Sequence, residues 1–339
     1  MSDKKGDFAF KSKDTMGMYH EMTYGGALSF LRRKYSQDLN GVDVAVSGVP
    51  FDNAVTYRPG CRLGPRAIRQ ASVQLAELDA FPFGFNLFEN LSIVDYGDCH
   101  LDPHHPETIV KAIQDHASKI ISQNTKMLTF GGDHFVSYPL IKSHAEKYGP
   151  VTLIQFDAHC DTWEDTGGMD HGSMFARAVS EGVIDASKST QIGLRTYNNS
   201  DHGFEILTSP WVHRNGIDAA LEVIKNRAGD SPVYISWDID GFDPSCAPGT
   251  GTPVVGGLAT WQGLELLRGL EGLDLIGMDI VEVSPAYDVS EITAIAAATI
   301  GHDFLCLLAK QKGAKGNIPR NIYYFLGVVF LSIIFSDEK

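Results

Sequence analysis

Three potential metal ligands, Asp157, His159 and Asp161, directly follow a short apolar segment at residues 151–156. The segment lacks glycine and proline and predicts a buried strand. Because side chains alternate along an extended chain, the three ligands are predicted to point to the same side. Ionisable groups gathered at the end of a core strand are costly to bury without a cation. The pattern therefore favours a metal site, with a helix N-cap and a polar loop as the alternative.

Two further predicted strand ends carry the same residue types. Asp133 and His134 follow a pair of glycines, and Asp238 and Asp240 stand two residues apart in S-W-D-I-D-G-F-D-P. Either pattern alone is also typical of a turn or a cap. Apart from Asp133, the three strand ends together supply two histidines and four carboxylates to one predicted edge of a sheet.

The chemistry of these ligands indicates the metal. Carboxylates and imidazoles with no inward thiolate favour a hard or borderline divalent ion such as Mn²⁺ over a structural Zn²⁺. Six ligands suit two ions roughly 3.5–4 Å apart, and such a site lowers the pKa of bound water to about 7. The pattern therefore predicts metal-assisted hydrolysis.

Two other residues could act at the same edge. His171 lies in D-H-G-S-M, ten residues beyond the 157–161 segment, and a surface-loop histidine is the alternative interpretation. Glu282 follows another apolar segment in M-D-I-V-E-V-S-P, where a buried ion-pair partner is the alternative.

Apolar segments alternate with helical patterns along most of the chain, which predicts βαβ units and a mostly parallel sheet covered on both faces. Such crossovers place the carboxyl ends of the strands at one edge, where ligands bind. No repeat or composition break divides the chain. Strands are predicted at residues 42–49, 91–94, 127–130, 151–156, 190–194, 233–237 and 275–278, and helices at 67–78, 109–121, 139–148, 217–227, 261–270 and 291–310.

The chain has 339 residues and a formal net charge of −14. This charge argues against a nucleic-acid partner, which usually meets a basic face, and suits a cationic substrate or metal. Five scattered cysteines without a C-x-x-C motif favour reduced thiols in a cytoplasmic protein over a disulfide framework. The N-terminus has no apolar signal-peptide core.

The two ends differ from the centre. Residues 1–40 are predicted to form an N-terminal arm. Residues 322–335 form an apolar run of 14, shorter than the roughly 20 residues that span a bilayer. The run favours an extra strand or a buried interface segment over a membrane anchor.

Several motifs together resemble one family. They are R-P-G-C-R-L-G-P-R, G-G-D-H, D-A-H-C-D, D-H-G-S-M-F, S-W-D-I-D-G-F-D-P, A-P-G-T-G-T-P and M-D-I-V-E-V-S-P. In order and spacing they resemble the ureohydrolases, the arginase and agmatinase family, and are most similar to its bacterial agmatinases. The resemblance runs from about residue 20 to 313. It implies a three-layer α/β/α, arginase-like fold in a single catalytic domain, residues 1–313, with an atypical tail at 314–339.

The resemblance also implies a binuclear manganese centre whose ions share Asp157 and Asp238 as bridging ligands. One ion would be held by His134, Asp157, Asp161 and Asp238, and the other by Asp157, His159, Asp238 and Asp240.

By the same resemblance, a hydroxide between the ions would attack the guanidinium carbon of agmatine, giving urea and putrescine for polyamine biosynthesis. Glu282 would pair with the guanidinium. His171 would help to bind the substrate or carry a proton to the leaving amine, and Asp161 would accept a hydrogen bond from the hydroxide. The family also implies a homo-oligomer, a trimer or hexamer.

The alternatives concern the substrate. A hydrolase of guanidino acids such as 4-guanidinobutyrate or 3-guanidinopropionate would share the metal motifs but would need a basic group for the acid. The loop at residues 162–169 contains no arginine or lysine, and its Trp163, Glu164 and Asp165 suit an amine. This loop and Cys160 depart from the usual family pattern. A non-catalytic relative should have lost ligands, whereas this chain has the complete set.

Overall fold

The computed structural model describes residues 6–11, 13–18, 22–198 and 200–316. Its described residues contain a nine-stranded sheet in which every paired strand is parallel to its neighbour. The strands are β1 (Lys34–Tyr35), β2 (Val44–Val49), β3 (Ile93–Asp98), β4 (Lys126–Gly131), β5 (Thr152–Phe156), β6 (Thr190–Ile192), β7 (Glu205–Leu207), β8 (Pro232–Asp238) and β9 (Asp274–Val281). The helices are α1 (Phe8–Lys11), α2 (Gly64–Ser72), α3 (Leu87–Asn90), α4 (Ile109–Ile121), α5 (Ser137–Tyr148), α6 (Met174–Ser180), α7 (Ser209–Asn215), α8 (Ile217–Ala228), α9 (Thr260–Gly269) and α10 (Ile292–Gln311).

Helices cover both faces of the sheet because the strands are apolar on both faces. In β4, Leu128 and Phe130 pack in one buried cluster with residues of α2, α8, α9 and α10. Met127, which precedes Leu128 on the strand, packs in a second cluster with residues of α4, α5 and α6. Alternate side chains of one strand thus enter different hydrophobic cores. This confirms the predicted three-layer α/β/α fold.

The sheet order is β1-β3-β2-β4-β9-β8-β5-β6-β7. It places β4, β9, β8 and β5 side by side at the centre, although β4 and β5 come from a different part of the sequence than β8 and β9. Every predicted strand has a counterpart, whereas β1 and β7 were missed because they have only two and three residues. The predicted helix at 67–78 is shorter in the structure, since α2 ends at Ser72 and a 3₁₀ turn follows.

Helix α10 is the one helix among the described residues that is long and apolar enough to cross a membrane. In its most apolar stretch, 78% of the residues are buried inside the protein, as expected for a core helix. The apolar run at residues 322–335 lies outside the described residues.

All five cysteines are free thiols, as predicted.

Candidate metal centre and substrate pocket

The predicted ligands converge at the carboxyl edge of the central strands. His134 follows β4, Asp157 follows β5 directly, and Asp238 is the last residue of β8. Glu282 comes directly after β9, which lies between β4 and β8. Because these four strands are adjacent and parallel, their ends bring the side chains together.

The six predicted metal ligands form two adjoining groups. Nδ1 of His134 lies 2.8 Å from Asp161 Oδ2, 3.1 Å from Asp157 Oδ2 and 3.2 Å from Asp238 Oδ2. Nδ1 of His159 lies 3.1 Å from Asp240 Oδ2 and 3.4 Å from Asp157 Oδ1. Asp157 therefore presents one carboxylate oxygen to each histidine, as a bridging ligand would.

The ring orientation of His134 fits a metal ligand. Its Nε2 lies 2.8 Å from Ser236 Oγ. The Ser236 hydroxyl donates to Asp279 at 2.7 Å, and the Tyr234 hydroxyl donates to the same carboxylate at 2.9 Å. Because the Ser236 hydroxyl donates its proton to Asp279, its oxygen acts as the acceptor toward Nε2 of His134. This contact assigns the ring proton of His134 to Nε2. With the proton on Nε2, the buried Nδ1 donates no hydrogen bond to the nearby carboxylates and has no other partner among the described residues, so its lone pair is available to a cation.

The electrostatics of the cluster also fit a cation. Burial, followed by the charges of Asp240 and Asp157, raises the pKa of Asp238 well above its usual range. Burial and the charge of Asp157 raise the pKa of Asp161 to about 6. Burial alone would lower the pKa of His159, but Asp240 and Asp157 raise it to about 12. The cluster thus has excess negative charge that divalent ions would compensate.

The path of residues 157–161 differs from the prediction. Strand β5 ends at Phe156, and Asp161 has a positive φ of 52°. The alternation of an extended chain is therefore not what brings these side chains together. Instead, Asp157 accepts from the backbone N–H of His159 at 2.6 Å and from Gln155 Nε2 at 2.7 Å, so the loop folds back around its own carboxylate.

His171 and Glu282 lie next to the cluster. Nδ1 of His171 is 3.0 Å from Glu282 Oε1, and Nε2 is 3.0 Å from Thr56 Oγ1. Oε1 of Glu282 also accepts from the backbone N–H of His134 at 2.9 Å. The other oxygen, Oε2, is buried and has no hydrogen-bond partner among the described residues. Burial would lower the pKa of His171, but Glu282 raises it to about 9.

A cavity of about 220 Å³ opens onto His171 and three of the predicted metal ligands, His159, Asp161 and Asp238. Trp163 forms part of its wall and is 38% exposed. The wall depends on Gly172, because a Cβ at that position would lie 2.9 Å from the Trp163 ring. The lining residues are Thr56, His159, Asp161, Trp163, His171, Gly172, Asp238 and Thr252.

Sequence reasoning missed several residues of this region. Ser236 could have been found, because it stands two residues before Asp238 on the same strand. Gln155 stands likewise two residues before Asp157, whereas no local signal indicates Thr56, Thr252 or Arg195, which reach the site from separate loops.

The sequence profile of the Arginase family matches residues 42–306. The chain belongs to the arginase family. It is 57% identical over 319 residues to an agmatinase of Chromobacterium violaceum, covering 93% of this chain and 99% of that protein.

Solved structures of the family resemble this arginase-family chain in fold as well. The crystal structure of a hypothetical agmatinase from Burkholderia thailandensis has a TM-score of 0.90 at 54% identity, covering 91% of this chain and 98% of that one. Proclavaminate amidino hydrolase from Streptomyces clavuligerus has a TM-score of 0.82 at 36% identity, covering 85% of this chain and 99% of that one.

Proposed function

We propose that the chain is an agmatinase that hydrolyses the guanidinium group of agmatine to urea and putrescine. The observation that carries this proposal is the position of Glu282. Its unpartnered Oε2 is buried beside a cluster of two histidines and four carboxylates that suits two cations. A buried carboxylate with a free oxygen is a natural partner for the planar N–H groups of a guanidinium.

The cofactor is proposed to be two Mn²⁺ ions, because carboxylates and imidazoles dominate the ligand set. When bound, such a pair of ions supplies a hydroxide nucleophile at neutral pH. His134 and Asp161 would serve one ion, His159 and Asp240 the other. Asp157 and Asp238 would be shared by both ions.

Glu282 and His171 then act on the substrate. Glu282 would hold the guanidinium in place through Oε2, while its Oε1 stays anchored by His134 N–H and His171. Positioning is the main requirement, because a charge-delocalised guanidinium is a poor electrophile. The raised pKa of His171 leaves it protonated at neutral pH, so it can donate a proton to the leaving amine.

Trp163 is the proposed recognition element for the aminoalkyl tail. Its indole forms part of the pocket wall, where it can contact the methylenes and attract the ammonium through its ring face. Asp165 is already paired with Arg177 at 2.6 Å, so we assign it no contact with substrate. The described residues that line the cavity include no arginine or lysine, which disfavours a guanidino acid.

We also propose that residues 1–313 form one catalytic domain and that the protein is a cytoplasmic homo-oligomer, a trimer or hexamer, acting in polyamine biosynthesis. Residues 1–40 would be its N-terminal arm and residues 314–339 an atypical apolar tail.

Urea release from agmatine, arginine, 4-guanidinobutyrate and 3-guanidinopropionate, measured with manganese present, tests the proposal. Agmatine is expected to give the highest kcat/KM. A higher value for either acid would instead identify a guanidino-acid hydrolase. No urea from any of the four, with two ions bound per chain, would indicate a non-catalytic relative.

A further inference from the structure

Arg195, in the loop after β6, connects several loops at the carboxyl edge of the sheet. Its backbone N–H donates to the carbonyl of Ala158, between two of the predicted metal ligands. Its side chain reaches the segment after β8, where Nη2 donates to the carbonyl oxygens of Asp240 at 2.5 Å and Phe242 at 3.1 Å. Arg195 therefore contacts both loops that carry ligands of the His159 group.

The same guanidinium also holds the segment that forms one wall of the pocket. Nε and Nη2 donate to the carbonyl of Val254 at 3.0 and 2.7 Å. Val254 is two residues from Thr252, which lines the cavity and whose hydroxyl lies 3.2 Å from Asp240 Oδ2. Space for this contact requires Gly257, since a Cβ there would lie 2.7 Å from Nη2.

Arg195 makes no salt bridge within the described part of the chain, and its donors are used on backbone carbonyls. Such a pattern depends on the rigid fork of the guanidinium, because one planar group must meet carbonyls from separate segments at once. Burial lowers the pKa of Arg195, whereas the nearby carboxylates of Asp240 and Asp157 raise it. The positive group thus also lies close to the acidic cluster.

We propose that Arg195 is a positioning residue that sets Asp240 against the loop of Asp157 and His159, and thereby builds the second metal subsite together with the Thr252 wall. The inference rests on the proposed two-metal function. Without this arginine, the His159–Asp240 subsite loses its geometry while the His134–Asp161 subsite is retained.

The test compares Arg195→Lys with Arg227→Lys. Lysine keeps the charge but replaces the fork with a single ammonium. Arg227 is a matched control, because it also donates to backbone carbonyls, those of Ser189, Ala186 and Gly203, but at the amino end of β6. Calorimetric titration of each metal-free protein with Mn²⁺ gives the two affinities, and the EPR spectrum shows whether the bound ions form a coupled pair.

Arg195→Lys is expected to weaken one of the two Mn²⁺ affinities by about 10- to 100-fold, the range for groups that orient metal ligands. The coupled-pair EPR spectrum is expected to give way to that of a single ion at low manganese. Arg227→Lys is expected to bind both ions like the parent, even if its thermal midpoint falls equally.

Parent-like affinity for both ions in Arg195→Lys would overturn the inference. If that variant does not fold, Arg195→Gln decides by the same titration, and two parent-like affinities there would equally overturn it. Failure of the parent itself to bind two ions or to hydrolyse agmatine would refute the proposed function, which is a different result.

Discussion

Replacing Glu282 by glutamine removes one charge beside the metal-ligand cluster and almost nothing else. Oε1 accepts from the backbone N–H of His134 and faces His171, and the amide oxygen of glutamine can keep both contacts. The amide nitrogen then replaces Oε2, which is buried without a partner. In this orientation the amide nitrogen directs its N–H groups toward the guanidinium. The guanidinium has only donors and needs an acceptor at that position.

The size of the effect follows from burial. Glu282 is 1% exposed, so the value for exposed ion pairs, below about 1 kcal/mol, does not apply. Removing one partner of a buried charge pair costs about 2 to 5 kcal/mol. At 1.36 kcal/mol for each tenfold change, kcat/KM for agmatine is expected to fall by roughly 30- to 5,000-fold.

The assay is steady-state urea release from agmatine, with manganese content measured on the same preparation. Glu181→Gln is the matched control, because Glu181 makes its ion pair with Lys142 in a partly exposed position and should leave kcat/KM unchanged. A Glu282→Gln enzyme with two ions bound and kcat/KM within about threefold of the parent, less than 1 kcal/mol, would show that Glu282 does not bind the guanidinium.

Three further predictions concern metal retention, substrate choice and acid stability. Asp238→Ala is expected to abolish hydrolysis and manganese retention after gel filtration together, and near-normal occupancy would refute a bridging role for Asp238. Trp163→Ala is expected to lower kcat/KM for agmatine by about 5- to 30-fold, from about 1 to 2 kcal/mol of lost cation–π attraction; an equal loss for an alkylguanidine whose tail carries no ammonium would contradict ammonium recognition. Burial lowers the pKa of His144 from 6.5 to about 4. As the pH falls, His144 is therefore protonated in the unfolded chain before it is protonated in the folded protein. About 3 kcal/mol of folding stability should be lost between pH 6.5 and 4 as a result. His144→Asn keeps a donor for the Leu140 carbonyl. In urea unfolding, this variant should lose less stability than the parent between pH 6.5 and 4, and an unchanged pH dependence of stability would disprove the role of His144.

The sequence predicted most of the central strands because their signal is local. An apolar segment such as residues 151–156 can be recognised as a strand from its own residues alone. The alternation of such segments with helical patterns predicts parallel βαβ units. The two short strands β1 and β7 were missed because two or three residues carry no detectable period. The metal ligands and Glu282 could be proposed from the sequence because their motifs are contiguous.

The convergence of these residues was decided by the strand order. Only the placement of β9 between β4 and β8 brings Glu282 to the backbone of His134, and no local pattern contains that information. The loop after β5 shows the same limit on a smaller scale. Extended alternation predicted the right side for Asp157, His159 and Asp161 for the wrong reason, since the strand stops at Phe156 and Asp161 turns with positive φ.

The sequence by itself determined the residue types, and with them the chemistry proposed here, in which two metal ions and a carboxylate act on a guanidinium. Tertiary structure alone decided which groups contact those residues. Ser236, bonded to Asp279, contacts the ring of His134, and Arg195 donates to the backbone carbonyl of Asp240. The physical reason is that hydrogen bonds to buried ligands come from whichever segment packs beside them, and that packing depends on the whole core rather than on neighbouring residues.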